Sequence, residues 1–107
     1  MNEEYLRNYL ALRASRLGWT HYDYTVRHFT VRPDGKVKIQ ANNQLFLLIN
    51  ADQGVRIESE NGIYDTTNED ITELVEEHTG IIILINRFSV LKHARFLQGI
   101  PREAVGE

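Results

Sequence analysis

His21 and Asp23 stand two residues apart in a segment of alternating polarity, so on a β-strand both side chains project from one face with Thr25 beside them. An imidazole and a carboxylate in that arrangement can pass a proton or offer two ligands to a metal ion. Neither chemistry is complete, because a metal site needs further ligands and the remaining histidines, His28, His78 and His93, fall in three other expected elements. A polar sheet face with a cross-strand pair accounts for both residues without a site. Ser15, Ser59 and Ser89 lack the glycine-flanked turn that exposes an activated hydroxyl, and the glycines are scattered as turn and cap residues instead of gathered into a phosphate loop. The chain has no cysteine, which removes thiol nucleophiles, thiolate zinc sites and disulfides together. An enzyme acting on a small molecule at His21 and Asp23 is the third of three readings, and no catalytic residue, metal or cofactor is assigned.

Two surfaces offer binding chemistry instead. Trp19, Tyr22, Tyr24 and Phe29 are interleaved with Arg27, His28 and Arg32, a combination that can stack bases and neutralise a phosphate backbone. Single-stranded nucleic-acid binding through this strand is the alternative reading. The favoured one rests on the segment from Arg87 to Gln98, expected as a helix with Val90, Leu91, Ala94 and Leu97 buried. A step of 100° per residue then gathers Phe88, Lys92, Arg95 and Phe96 on one flank, aromatic anchors beside cations. Tyr5, Tyr9 and Leu12 widen the apolar surface of the first helix beyond what one sheet contact requires. Together they predict a small non-catalytic interaction or assembly domain, with a protein partner or a second copy of the chain.

These surfaces need elements to carry them, and the hydrophobic period supplies an order. Leu6, Leu10, Ala14 and Leu17 recur at helical spacing from Glu3 to Leu17, with acids in the first turn, Arg16 in the last and Gly18 as the stop. Period two follows from Tyr22 to Val26. Phe29 and Val31 then take the opposite parity, which points to a bulge near Arg27-His28 or to a strand buried on each face in turn. Pro33-Asp34-Gly35 predicts a turn joining this strand to Val37–Ala41 as a hairpin. Asn42-Asn43 predicts another turn, Leu45–Ile49 a strand covered on both faces, and Asn61-Gly62 a tight hairpin between Val55–Ser59 and Ile63–Asp65. Thr67 or Asn68 would cap an acidic helix with Ile71, Leu74 and Val75 as its stripe and Gly80 as its stop. Ile81–Ile85 is a sixth strand, and Asn86 would cap the last helix. The expected fold is α+β: an antiparallel meander of five to six strands with three helices packed on one face, all in one domain over residues 1–107.

Composition narrows the class. With 107 residues, 42% hydrophobic and 25% charged, the chain is sized for a modest core that a partner could extend, and no apolar run reaches membrane-spanning length. Glu3 and Glu4 stand where a secretory leader would be basic, so a cytoplasmic location is expected. The charge is partitioned: Arg56 is the single base among nine acids from Asp52 to Glu77, while Arg87, Lys92, Arg95 and Arg102 meet no acid in their stretch. Such asymmetry steers a docking partner or is neutralised between neighbouring elements.

Overall fold

Local signals fix the first element. In a computed structural model, which describes residues 2–65 and 75–102, α1 spans Glu3–Arg16. The Asn2 side chain accepts from the backbone N–H groups of Glu4 and Tyr5, at 2.7 and 3.4 Å, and so satisfies two of the donors that a helix start leaves unpaired. At the other end Gly18 adopts a φ of +78°, and the N–H groups of Gly18 and Trp19 donate back to the carbonyls of Ser15 and Ala14. Only a residue without a Cβ takes this left-handed stop freely. The reversal carries Trp19 into the apolar cluster beneath the helix.

Six strands follow among the described residues: β1 (His21–Val31), β2 (Lys36–Ala51), β3 (Val55–Ser59), β4 (Gly62–Asp65), β5 (Glu77–Asn86) and β6 (Lys92–Arg102). They form one antiparallel sheet in the order β1-β6-β2-β5-β3-β4. β2 serves two neighbours, pairing with β5 chiefly over residues 36–41 and with β6 over residues 45–51. Between the halves the register slips, Asn43 takes a φ of +59°, and Gly80 opposite takes +74°. A bulge of this kind bends a strand and raises its twist. The carbonyls it frees are recovered by the Thr79 hydroxyl, 2.7 Å from the Gln44 oxygen and 3.2 Å from that of Ala41.

The bend curls the sheet so that its inner face covers itself. Phe46 and Phe96 lie edge to face with centroids 5.8 Å apart, Phe29 joins them, and Ile39, Val55, Ile57, Ile82 and Leu84 complete a core without any helix. β1 touches β5 and β3 touches β6 across this interior, although neither pair shares a ladder. α1 covers the other face over β6 and the second half of β2, setting Leu6 and Leu10 on Leu45, Leu47, Ile49 and Leu97. Buried Asn86 stitches the open end: its Nδ2 lies 2.7 Å from the Val90 carbonyl and within 3.2 Å of those of Val31 and Arg32, and its Oδ1 accepts from Phe88 N–H.

The expected fold is corrected in three respects. Among the described residues α1 is the single helix, and strands dominate. The segment expected as a C-terminal helix from Arg87 to Gln98 is a loop, residues 87–91, and then β6. It is covered on both faces, by α1 on one and by the inner core on the other, so its apolar residues do not alternate and the run mimics a helical stripe. Most of the expected acidic helix, residues 67–74 with Ile71 and Leu74, lies outside the described residues; of its end, Val75 and Glu76 are not helical and Glu77 opens β5. The meander is replaced by a non-sequential order, because β6 inserts between β1 and β2 and abolishes their expected hairpin. The β1–β6 ladder runs without a shift, so the parity change at Phe29 comes from burial on each face in turn: Tyr22 and Val26 under α1, then Phe29 and Val31 in the inner core.

Two substitutions test this packing. Phe96→Ala removes the centre of the inner core and is expected to lower unfolding free energy by about 3–5 kcal/mol in urea titrations. A Cβ at Gly99 would lie 2.5 Å from Leu10 Cδ1, so Gly99→Ala is expected to lift α1 and lower the free energy by about 1–3 kcal/mol.

Candidate functional site

The residues singled out by sequence scatter over the structure. Asp23 does not face His21 alone on a free strand; its carboxylate accepts from Arg102 Nε at 2.7 Å on the neighbouring β6. Among the described residues no three His, Cys, Asp or Glu side chains converge as metal ligands. Of the aromatic and basic set on β1, Tyr22 is half-buried against the α1 cluster beside Trp19, and Tyr24 stands exposed beside Arg7 of α1. Arg27 projects from the opposite face, where it lies 5.2 Å over the Phe29 ring and donates to Gln98. His28 shares Tyr24's face, and Arg32 lies beyond the strand. They form no common platform.

The expected partner surface is likewise divided. Phe96 is fully buried, whereas Phe88 is 48% exposed in the loop before β6, packed over Gly54 with the Lys92 ammonium 5.1 Å from its ring centre. Arg95 pairs with Glu3 at 2.9 Å. Tyr5 and Leu12 remain exposed on the outer side of α1, and Tyr9 turns inward to donate to Glu77.

A trio around buried His78 was not anticipated. Ser59 Oγ lies 2.7 Å from His78 Nδ1, and Glu76 Oε1 lies 3.6 Å from Nε2. The order hydroxyl, imidazole, carboxylate is that of a nucleophilic site, but the His78 ring has no exposed surface and is held edge-on by Tyr64 and Phe96. It therefore reaches no substrate and serves as a hydrogen-bonded member of the core.

Two features remain open to a partner. The first is the outer edge of β1, along which no described strand pairs. It is eleven residues long, free of proline, glycine and bulge, while the opposite edge, β4, has four residues. The second is a cleft of about 650 Å³ where the end of α1, the β2 bulge and the β3–β4 turn converge. Its floor is pinned by Arg13, which grips the Glu77 carboxylate through Nε at 2.8 Å and Nη2 at 3.1 Å. That hydrogen bond and charge hold the Arg13 guanidinium further above its ordinary value, against the opposing effect of burial. The Thr79 N–H donates to Asn61 Oδ1 at 3.1 Å and ties the turn to β5. Sequence marks Asn42-Asn43 and Asn61 as turn residues, but Asn42 and Asn43 lie in the bulge within β2, and nothing along the chain says that this bulge and the β3–β4 turn meet.

Burial, and next the charge of Glu77, raises the Tyr9 phenol above its ordinary value. A phenol raised in the folded state favours the protonated form, so its stabilisation is full below the unfolded value near pH ~10 and is lost as pH climbs through the folded one. Wild-type stability is therefore expected to fall more steeply than that of Tyr9→Phe above pH ~10, read as the urea midpoint across an alkaline series. Comparison with protein-family models, with curated proteins and with solved structures finds no match, so the functional reading rests on this geometry.

Proposed function

We propose that the chain is a non-catalytic assembly module whose partner is a second copy of itself, joined by strand addition along β1. The observation that carries the reading is the long, regular outer edge of β1, along which no described strand pairs. Sheet edges in soluble proteins are blunted by proline, bulges, shortness or inward charge, because an unpaired row of N–H and C=O groups is a template for another strand. β4 is blunted by its length; β1 is long and has neither proline nor bulge, and its charged residues on the Phe29 side, Asp23 and Arg27, are exposed.

Its side chains are self-complementary. Two copies of β1 related by a twofold axis through Thr25, perpendicular to the sheet, bring Asp23 of one protomer opposite Arg27 of its partner, twice. On the other face Tyr24 meets Val26 and Tyr22 meets His28. Each such cross-strand pair is worth roughly 0.2–1 kcal/mol, and the backbone bonds supply the remaining attraction. Moving the axis by one residue sets His21 against Arg27 or Asp23 against Phe29, so the charge pattern selects the register. The Asp23–Arg102 pair is exposed at both ends and contributes about 0–1 kcal/mol, so its exchange for an intermolecular pair costs the fold little.

Light scattering after size exclusion tests the reading. The wild type is expected to approach twice its 12.4 kDa mass as concentration rises. Asp23→Arg and Arg27→Asp, taken singly, are each expected to return the monomer, and the double swap to restore the dimer. A wild type that stays monomeric throughout, or a dimer indifferent to both reversals, overturns the proposal.

A further inference from the structure

We infer that the cleft between α1, the β2 bulge and the β3–β4 turn binds a neutral oligosaccharide. The inference stands apart from β1 pairing, since none of the cleft residues lies on that strand. A volume of about 650 Å³ is within the range of small-molecule sites, about 300–1,000 Å³.

The charge state of the lining sets the ligand class. Arg13 and Glu77 cancel each other through their two-point contact, which leaves Glu60 as the charge of the cleft without a partner among the described residues. A phosphate or carboxylate would meet a like charge there, so nucleotides and acidic peptides are disfavoured. What the walls offer instead is amide chemistry. The side chains of Asn42 and Asn43 have no partner within the described residues, and Asn61 uses its oxygen on Thr79 and keeps its NH₂ donors. An amide presents a donor pair and an acceptor side by side, the complement of neighbouring hydroxyls that each donate and accept. The free Glu60 carboxylate adds two strong acceptors for further hydroxyls.

Trp19 supplies the apolar component. Trp19 lines the cleft with Leu17 and Leu45 while part of it packs into the α1 cluster, and an indole is a surface suited to the C–H face of a pyranose ring. The backbone that carries these groups is held in place before any ligand arrives. The left-handed turn at Gly18 sets Trp19, the Asn43 bulge is secured by the Thr79 hydroxyl, and the β3–β4 turn is tied to β5 through Asn61. Preorganisation of this kind reduces the ordering cost that weakens binding to flexible polar surfaces.

Trp19 is the only tryptophan in the chain, so its emission reads the cleft without a label. The wild type would be titrated with maltotriose, cellotriose, chitotriose and mannotriose, and with the trimer of galacturonic acid as the anionic control. The expected result is a saturable change with at least one neutral trisaccharide, half-complete below about 10 mM. Asn42→Ala is expected to weaken it by about 5- to 10-fold with the circular dichroism and melting midpoint unchanged, the effect of one lost hydrogen bond. Glu60→Gln, whose carboxylate makes no bond that holds the fold, provides a second variant and is also expected to weaken it. The inference is overturned if no neutral trisaccharide gives a saturable change, if the acidic trimer binds as tightly, or if both variants bind as the wild type does.

Discussion

The bend in β2 is the constraint on which the other features depend. Only one helix is present among the described residues, yet the sheet carries two apolar faces. A flat sheet would leave Phe29, Phe46, Phe96 and their aliphatic neighbours in water, and each such side chain forgoes about 1.5–3 kcal/mol when it is not buried. Curling the sheet removes that loss by making β3 and β5 the cover for β6 and β1. The bend has its own cost: two residues in the left-handed region and a gap in the ladder. Gly80 takes that conformation without steric penalty, Asn43 is among the few other types that tolerate it, and Thr79 rebinds the interrupted carbonyls.

The buried polar side chains inside the curl each hold at least one hydrogen bond. Asn86 sits at the end of β5 where three strands finish, and one side chain answers three carbonyls and an N–H that no ladder reaches. Gln98 does comparable work in the sheet interior, its Nε2 donating to Gln44 Oε1 at 2.7 Å while its Oε1 accepts from Arg27. His78 is the third case, an imidazole on the inner face beside Phe96 and tied to Ser59. A curled antiparallel sheet with a continuous interior leaves such ends and bulges, and unsatisfied groups there would cost about 1–3 kcal/mol apiece.

How much of this the sequence discloses follows from how far each signal reaches. α1 is legible because its determinants are local: apolar residues at helical spacing, acids in the first turn and Gly18 as the stop all lie within one segment. The β3–β4 turn is legible for the same reason, although the structure places only Gly62, not Asn61, at positive φ. Strand positions in β2 and β5 follow from their apolar runs. Strand partners do not, because β6 comes between β1 and β2 from the far end of the chain, a choice made by nonlocal burial that no turn residue encodes. β6 itself is misread because a strand covered on both faces has no period of two, and Val90, Leu91, Ala94 and Leu97 happen to fit a helical stripe. Asn86 is half-read: the capping chemistry is present, with Oδ1 accepting the Phe88 N–H, but it closes a loop instead of starting a helix. The cleft was not legible at all, since Trp19, Asn42 and Asn61 are brought together only by the bend.

β1 shows how the two burial systems leave one surface free. Its first half owes its position to α1, through Tyr22 and Val26, and its second half to the inner core, through Phe29 and Val31. The strand is thus anchored on both faces and along its inner edge by an unshifted ladder to β6, while no described strand pairs along its outer edge. Register for any added strand must then come from side chains. A slip of one residue turns every side chain to the wrong face, and the faces here are not equivalent, because one is roofed by α1. A slip of two keeps the faces but breaks the Asp23–Arg27 match. Pinning β1 from both faces gives its outer edge a fixed pattern of side chains, and on the proposed reading the opposite charges of Asp23 and Arg27 select a second copy of that pattern as its complement.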